Sequence, residues 1–171
     1  QNKQTGWDLG EVSAPLAEIF KNIDINAKIL IPGCGNAYEA ESLHNSGYKN
    51  VCIIDIAKEP LEEFKKRNKS FPRDQIILGD FFAHSGAYDF IIEQTFFCAL
   101  APALRANYVD KMHSLLNKNG KLVGLFFDFE LTEEGPPFGG DLIEYIQLFY
   151  AKFEIKVFEK CHNSIKQRQG R

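Results

Sequence analysis

Lys28-Ile29-Leu30-Ile31-Pro32-Gly33-Cys34-Gly35 is the stretch that decides the fold class of this chain. Its apolar run stops at a proline and a glycine. Such a run reads as a buried strand of a parallel sheet. The two glycines behind it let the backbone approach a ligand with no Cβ in the way. A second apolar, β-branched run, residues 51–54, closes on Asp55, roughly 20 residues further on. An acid there commonly accepts ribose hydroxyls, and a carboxylate can take both hydrogen bonds of a diol.

Outward from that centre, strands and helices alternate. The pattern predicts helices over 37–44, ended by Asn45-Ser46-Gly47, and over 59–67, with Pro60 in its first turn. Residues 75–78 and 88–92 read as further strands. Leu104, Tyr108, Met112 and Leu115 recur at helical spacing over 102–116, with Asn119-Gly120 as the stop. A fifth strand follows over 121–127, then a loop rich in proline and glycine to Gly140. Asp141 can cap a helix carrying Leu142, Tyr145, Ile146 and Phe149. Phe153, Ile155 and Val157 alternate with charged residues and predict a sixth, half-exposed strand. Ahead of the first strand, Val12, Leu16, Ile19 and Phe20 mark an amphipathic helix. The expectation is one α/β domain over 1–171, a doubly wound, mostly parallel sheet with helices on both faces.

The formal charge of −3 argues against a dedicated nucleic-acid surface, which needs a basic excess. No apolar run is long enough for a membrane helix, and no secretory leader pattern opens the chain. The chain starts at Gln1, so it is expected to be part of a longer one. Cys34, Cys52, Cys98 and Cys161 form no paired spacing, and no histidine lies at metal-ligand distance in sequence from a cysteine. Reduced thiols in a cytoplasmic protein without a metal are expected.

A dinucleotide fingerprint needs a third glycine three positions after Gly35, where Tyr38 stands. That favours a nucleoside without a pyrophosphate, and S-adenosylmethionine is one. Asp80 and Phe81 follow the third strand, placed to reach an adenine amino group and to flank the ring. Glu93-Gln94 follow the fourth, beside the position expected for the sulfonium. Trp7 lies in an N-terminal segment able to close over the cleft. A nicotinamide-dependent oxidoreductase and a cofactor-binding sensor without activity stay open as alternatives.

Gly6-Trp7-Asp8-Leu9-Gly10, Ile31-Pro32-Gly33-Cys34-Gly35, Asp55-Ile56, Gly79-Asp80-Phe81-Phe82, Phe97-Cys98-Ala99, Gly135-Pro136-Pro137-Phe138 and Ser164-Ile165 with Arg168 and Gly170 run through nearly the whole chain. In these motifs the chain resembles the thiopurine S-methyltransferase family, including its plant branch of halide and thiol methyltransferases. The resemblance implies a Rossmann-like class I methyltransferase fold and S-adenosylmethionine as methyl donor. It implies cofactor contacts from Trp7, Gly33, Gly35, Asp55, Asp80, Phe81 and Gln94, and a lid formed by residues 1–22. Ile31 stands where most methyltransferases of this fold carry an acid, a departure typical of the thiopurine-type branch. The fold normally ends in a seventh strand; after Phe158 this chain is mostly polar, so that strand is expected to be missing.

Methyl transfer from a sulfonium is an in-line displacement, for which a protein supplies alignment and a dry site. A soft anion such as a thiolate or halide needs little or no base, and no histidine follows the fourth strand. Glu93-Gln94-Thr95-Phe96 also lacks the Asn-Pro-Pro-Tyr-like turn of enzymes that methylate planar amines. The expected acceptor is a small thiol, a thiopurine-like heterocycle, or a halide-like anion. Phe96, Phe97 and Phe138 are the candidates for its pocket, and Arg168 for attracting a negative charge. With no exposed apolar stripe evident in the sequence, a monomer is expected.

Overall fold

Ile29–Pro32 (β1), Val51–Asp55 (β2), Ile76–Leu78 (β3), Tyr88–Gln94 (β4) and Leu116–Leu125 (β5) pair in parallel as one sheet, in the order β3-β2-β1-β4-β5. A computed structural model describes residues 10–166 of the chain. Helices Ala14–Phe20 (α1), Tyr38–Asn45 (α2), Lys58–Arg67 (α3), Arg105–Leu115 (α4) and Leu142–Tyr150 (α5) cover the two faces. This is the doubly wound α/β architecture that the alternation of elements predicts.

Apolar runs make these strands because helices cover both faces. Ile29, Ile31 and Ile53 point to one side, where they meet Leu16 and Phe20 of α1, Leu43 of α2 and Phe64 of α3. Leu30, Ile54 and Ile91 point to the other, against Tyr108 and Met112 of α4 and Phe149 of α5. Successive strand residues face opposite sides, so a run without polar gaps feeds both cores. Each fully buried Leu, Ile or Phe contributes on the order of 2 kcal/mol of transfer free energy.

Two elements differ from the expectation. β5 begins at Leu116, not at Lys121, and carries Asn119-Gly120 inside it. Tyr88 pairs with Leu116 and Phe90 with Lys121, so extra residues bulge out between them, with Asn119 at φ 68°. The Asn-Gly signal marks a bulge in a strand and not the stop of a helix. The predicted sixth strand over 153–157 pairs with nothing among the described residues. Phe153, Ile155 and Phe158 pack instead on the α4–α5 core. Alternation reports one buried face, and packing against helices satisfies it without a hydrogen-bonded neighbour.

The helix caps follow the sequence. The Asp141 carboxylate accepts from the Glu144 amide at 2.9 Å and starts α5, and Gly47 at φ 94° follows α2. Leu142, Ile143, Ile146 and Tyr150 leave an exposed apolar stripe on α5, which corrects the reading that none exists. Among the described residues no helix is long and apolar enough to cross a membrane.

Candidate functional site

The strand order reverses between β1 and β4, so the loops leaving their carboxyl ends diverge and open a crevice. The first wall is the glycine loop. Gly33 and Gly35 have φ of 55° and 49°, the left-handed region that glycine adopts freely. Gly33 is required twice over, since a Cβ there would lie 2.1 Å from Cδ2 of Phe96. The Asp55 carboxylate holds the loop from behind. Its Oδ2 accepts from the Gly35 amide at 2.8 Å, and its Oδ1 accepts from the Ala57 amide at 2.8 Å, just ahead of α3. One side chain thus fixes the loop after β1 and the turn after β2.

The second wall is the turn after β4. Glu93 is fully buried, and its Oε1 accepts from the amides of Phe96 at 2.9 Å and Phe97 at 3.0 Å. Its Oε2 accepts from the Tyr108 hydroxyl at 2.5 Å. Burial raises this carboxyl to about 7, against the downward pull of the same hydrogen bonds. With the turn pinned there, Thr95 sits at φ 64°. The Gln94 amide faces the crevice, accepting from the Ser13 hydroxyl at 2.5 Å and donating to Oε1 of Glu39 at 3.1 Å.

The third wall is the proline-glycine loop after β5. The Phe138 amide donates to the Cys98 carbonyl at 2.7 Å, joining this loop to the second wall. Arg105, buried at the start of α4, donates to the Gly139 carbonyl at 2.6 Å and pairs with Glu144 at 2.5 Å. Its guanidinium lies 4.7 Å from the centre of the Phe97 ring. Arg105→Lys keeps the charge but loses the planar fork that serves all three partners. We expect it to lower unfolding stability by about 1–2 kcal/mol in urea denaturation; an unchanged midpoint would remove Arg105 as the clasp of this loop.

These walls enclose a cavity of about 280 Å³, lined by the glycine loop, Ile92, Gln94, Cys98, Pro136 and Pro137. Its charged lining residues are Glu11 and Glu39, and no Lys, Arg or His lines it among the described residues. Burial first, then the carboxylates of Asp55 and Glu39, push the Cys34 thiol well up from its ordinary value. A larger cavity, about 710 Å³, lies between α1, the end of β5 and residues 157–164.

Gly33, Gly35 and Gln94 line the smaller cavity. Asp55 lies just behind its edge, and Asp80 further along the strand ends, where its Oδ1 accepts from the Phe82 amide at 2.8 Å. Phe81 departs from the expectation. Its ring is turned into the core, against Phe82, Phe96 and Tyr108. Phe96 packs on Gly33 and Phe81, and Phe138 against Gly135; neither lines the smaller cavity. Trp7 and Arg168 lie outside the described residues. Glu39 and Arg105 sit in helical stretches that look solvent-facing in sequence, and the fold buries both. Among the described residues no group of three or more His, Cys, Asp or Glu is placed to hold a metal.

A model of the thiopurine S-methyltransferase family matches residues 1–171. Over 147 residues, 82% of this chain is 31% identical to probable thiol methyltransferase 2 of Arabidopsis thaliana, of which it spans 65%. Over 174 residues the chain is 25% identical to thiocyanate methyltransferase 1 of Brassica oleracea, covering 98% of itself and 76% of that relative. The fold matches a TehB-like SAM-dependent methyltransferase from Corynebacterium glutamicum with a TM-score of 0.65 at 19% identity, over 82% of this chain and 72% of that one.

Proposed function

Because the chain belongs to the thiopurine S-methyltransferase family, we propose that it moves the methyl group of S-adenosylmethionine to a small soft nucleophile, a thiol, a thiopurine-like heterocycle or a halide-like anion. The observation that carries this reading is the crevice at the strand reversal, with a glycine loop, an acid behind it and an acidic lining. A sulfonium and an ammonium are cations, and a cavity lined by acids and by no basic group among the described residues suits them.

In this reading the methionine part lies in the cavity between Gly33, Gly35 and Gln94. The adenosine part extends over the ends of β2 and β3. There Asp55 pairs in register with Leu78, and Asp80 follows two residues on. Ile56 and Leu78 leave apolar surface exposed beside the two acids, a shelf suited to a base. Phe81 contributes there through its backbone, since its ring is committed to the core. The bound cofactor supplies an activated methyl group. The chain's own residues bind, orient and exclude water. Leu16 and Phe20 fix α1 to the core, against α2 and the sheet. Phe96, Phe138 and Arg168 are assigned to the acceptor side, the first two as supports of the walls and Arg168 as the attraction for an anion. Four free cysteines suit a reducing compartment, and we assign the chain to the cytoplasm.

Ligand binding to the folded state raises the melting temperature by mass action. S-adenosylhomocysteine should do so and NAD should not; no shift with S-adenosylhomocysteine would sink the cofactor reading. Headspace detection of methylated iodide, bisulfide and thiocyanate, beside a thiopurine assay, then identifies the acceptor. Binding without any product would favour a sensor.

A further inference from the structure

We propose that Glu39 is the residue that reads the positive charge on the methionine part of the cofactor. The inference rests on the cofactor assignment above and names a group in the same site. Glu39 lies in the first turn of α2, directly after the glycine loop, and its side chain lines the cavity. It is 8% exposed, and it shares the lining with the apolar side chains of Ile31 and Ile92 and with the Gln94 amide. A charge held there is desolvated and acts on a ligand far more strongly than a surface charge does.

A role at the helix start alone does not account for this placement. An acid in the first turn complements the helix dipole from an exposed position. Glu41, in the same turn, supplies that charge on the outer side and pairs with Arg67 at 3.0 Å. Glu39 faces inward instead. The Gln94 amide holds its Oε1 at 3.1 Å, and the Ser13 hydroxyl holds Gln94 in turn. That chain fixes the carboxylate at the meeting point of the glycine loop, the end of β4 and the N-terminal segment. It also lies close enough to the loop to add, after burial and Asp55, to the rise of the Cys34 thiol. Glu11, the other acid on the lining, is exposed at the rim and screened by water.

The ligand chemistry is a cation on the amino-acid part, either the α-ammonium or the sulfonium. Glu39→Gln separates charge from shape. The amide oxygen still accepts from Gln94, so the wall keeps its geometry while the charge goes. Dissociation constants for S-adenosylmethionine, S-adenosylhomocysteine and 5′-methylthioadenosine, measured by calorimetry on the wild type and the variant, decide the matter. Loss of a charge-assisted contact should weaken binding roughly 10- to 100-fold. A loss shared by the first two ligands, with methylthioadenosine unchanged, assigns Glu39 to the ammonium. A loss for S-adenosylmethionine alone assigns it to the sulfonium. Unchanged affinities, or an equal loss for all three ligands, would overturn the proposal. A wild type that binds none of the three fails the cofactor reading itself, a result separate from any effect of the variant. The unliganded melting temperature checks that the variant folds.

Discussion

Asp55→Ala should abolish measurable S-adenosylhomocysteine binding, with a loss of at least about 100-fold in calorimetry. Two losses combine in that number. The first is direct, because the carboxylate is the group assigned to the ribose hydroxyls. The second is indirect. The Gly35 and Ala57 amides both donate to this carboxylate, and the variant leaves them without it. An amide left unsatisfied costs about 1–3 kcal/mol, so unliganded stability should fall by about that much as well. Methylthioadenosine, which keeps the ribose but lacks the amino-acid part, should lose affinity as severely as S-adenosylhomocysteine. Retained binding of either ligand, in a variant that is destabilised, would reduce Asp55 to a structural clamp between the loop and α3.

The contrast between Asp55 and Glu93 shows what a sequence of this kind discloses. Both acids end a predicted strand, and spacing from the glycines singles out Asp55 as a ribose partner. Nothing in the local pattern says that Glu93 is buried, because beside the nearby Phe96 and Phe97 amides its burial depends on Tyr108, 15 positions away on α4. Arg105 is similar. It looks like a solvated residue at a helix start, and its burial depends on Glu144 and Gly139, 39 and 34 positions on. β1 and β2 were legible because burial on both faces leaves an apolar run that breaks only at the strand end. The supposed sixth strand was not, because alternation at Phe153 and Ile155 records burial on one side and says nothing about a pairing partner. The phenylalanines mislead for a related reason. Phe81 and Phe96 cluster near the strand ends in sequence, yet their T-shaped packing on each other spends them on the walls, while Phe97 packs on Tyr108 and also lines the larger cavity.

The pinning of those walls by Glu93 should appear as a pH dependence of stability. The carboxyl sits at about 7 in the folded chain and at 4.5 by its ordinary value. Between those two pH values the folded state holds a proton that the unfolded state has released. Stability from this group is therefore fully present below 4.5, declines as pH rises through the window, and levels off above 7. The whole span is on the order of 3 kcal/mol. Glu93→Gln removes the titration while keeping an oxygen for the Phe96 and Phe97 amides, and Tyr108 can accept from the new amide nitrogen. The variant should match the wild type in urea denaturation near pH 5 and exceed it by roughly 2–3 kcal/mol at pH 8. Parallel curves for the two proteins would mean that Glu93 is already ionised in the fold at low pH, held by its three donors against the cost of burial. The same variant probes the site, since a neutral side chain that keeps the turn should leave S-adenosylhomocysteine binding within about threefold. Loss of binding without loss of stability would move Glu93 from support of the turn to contact with the ligand.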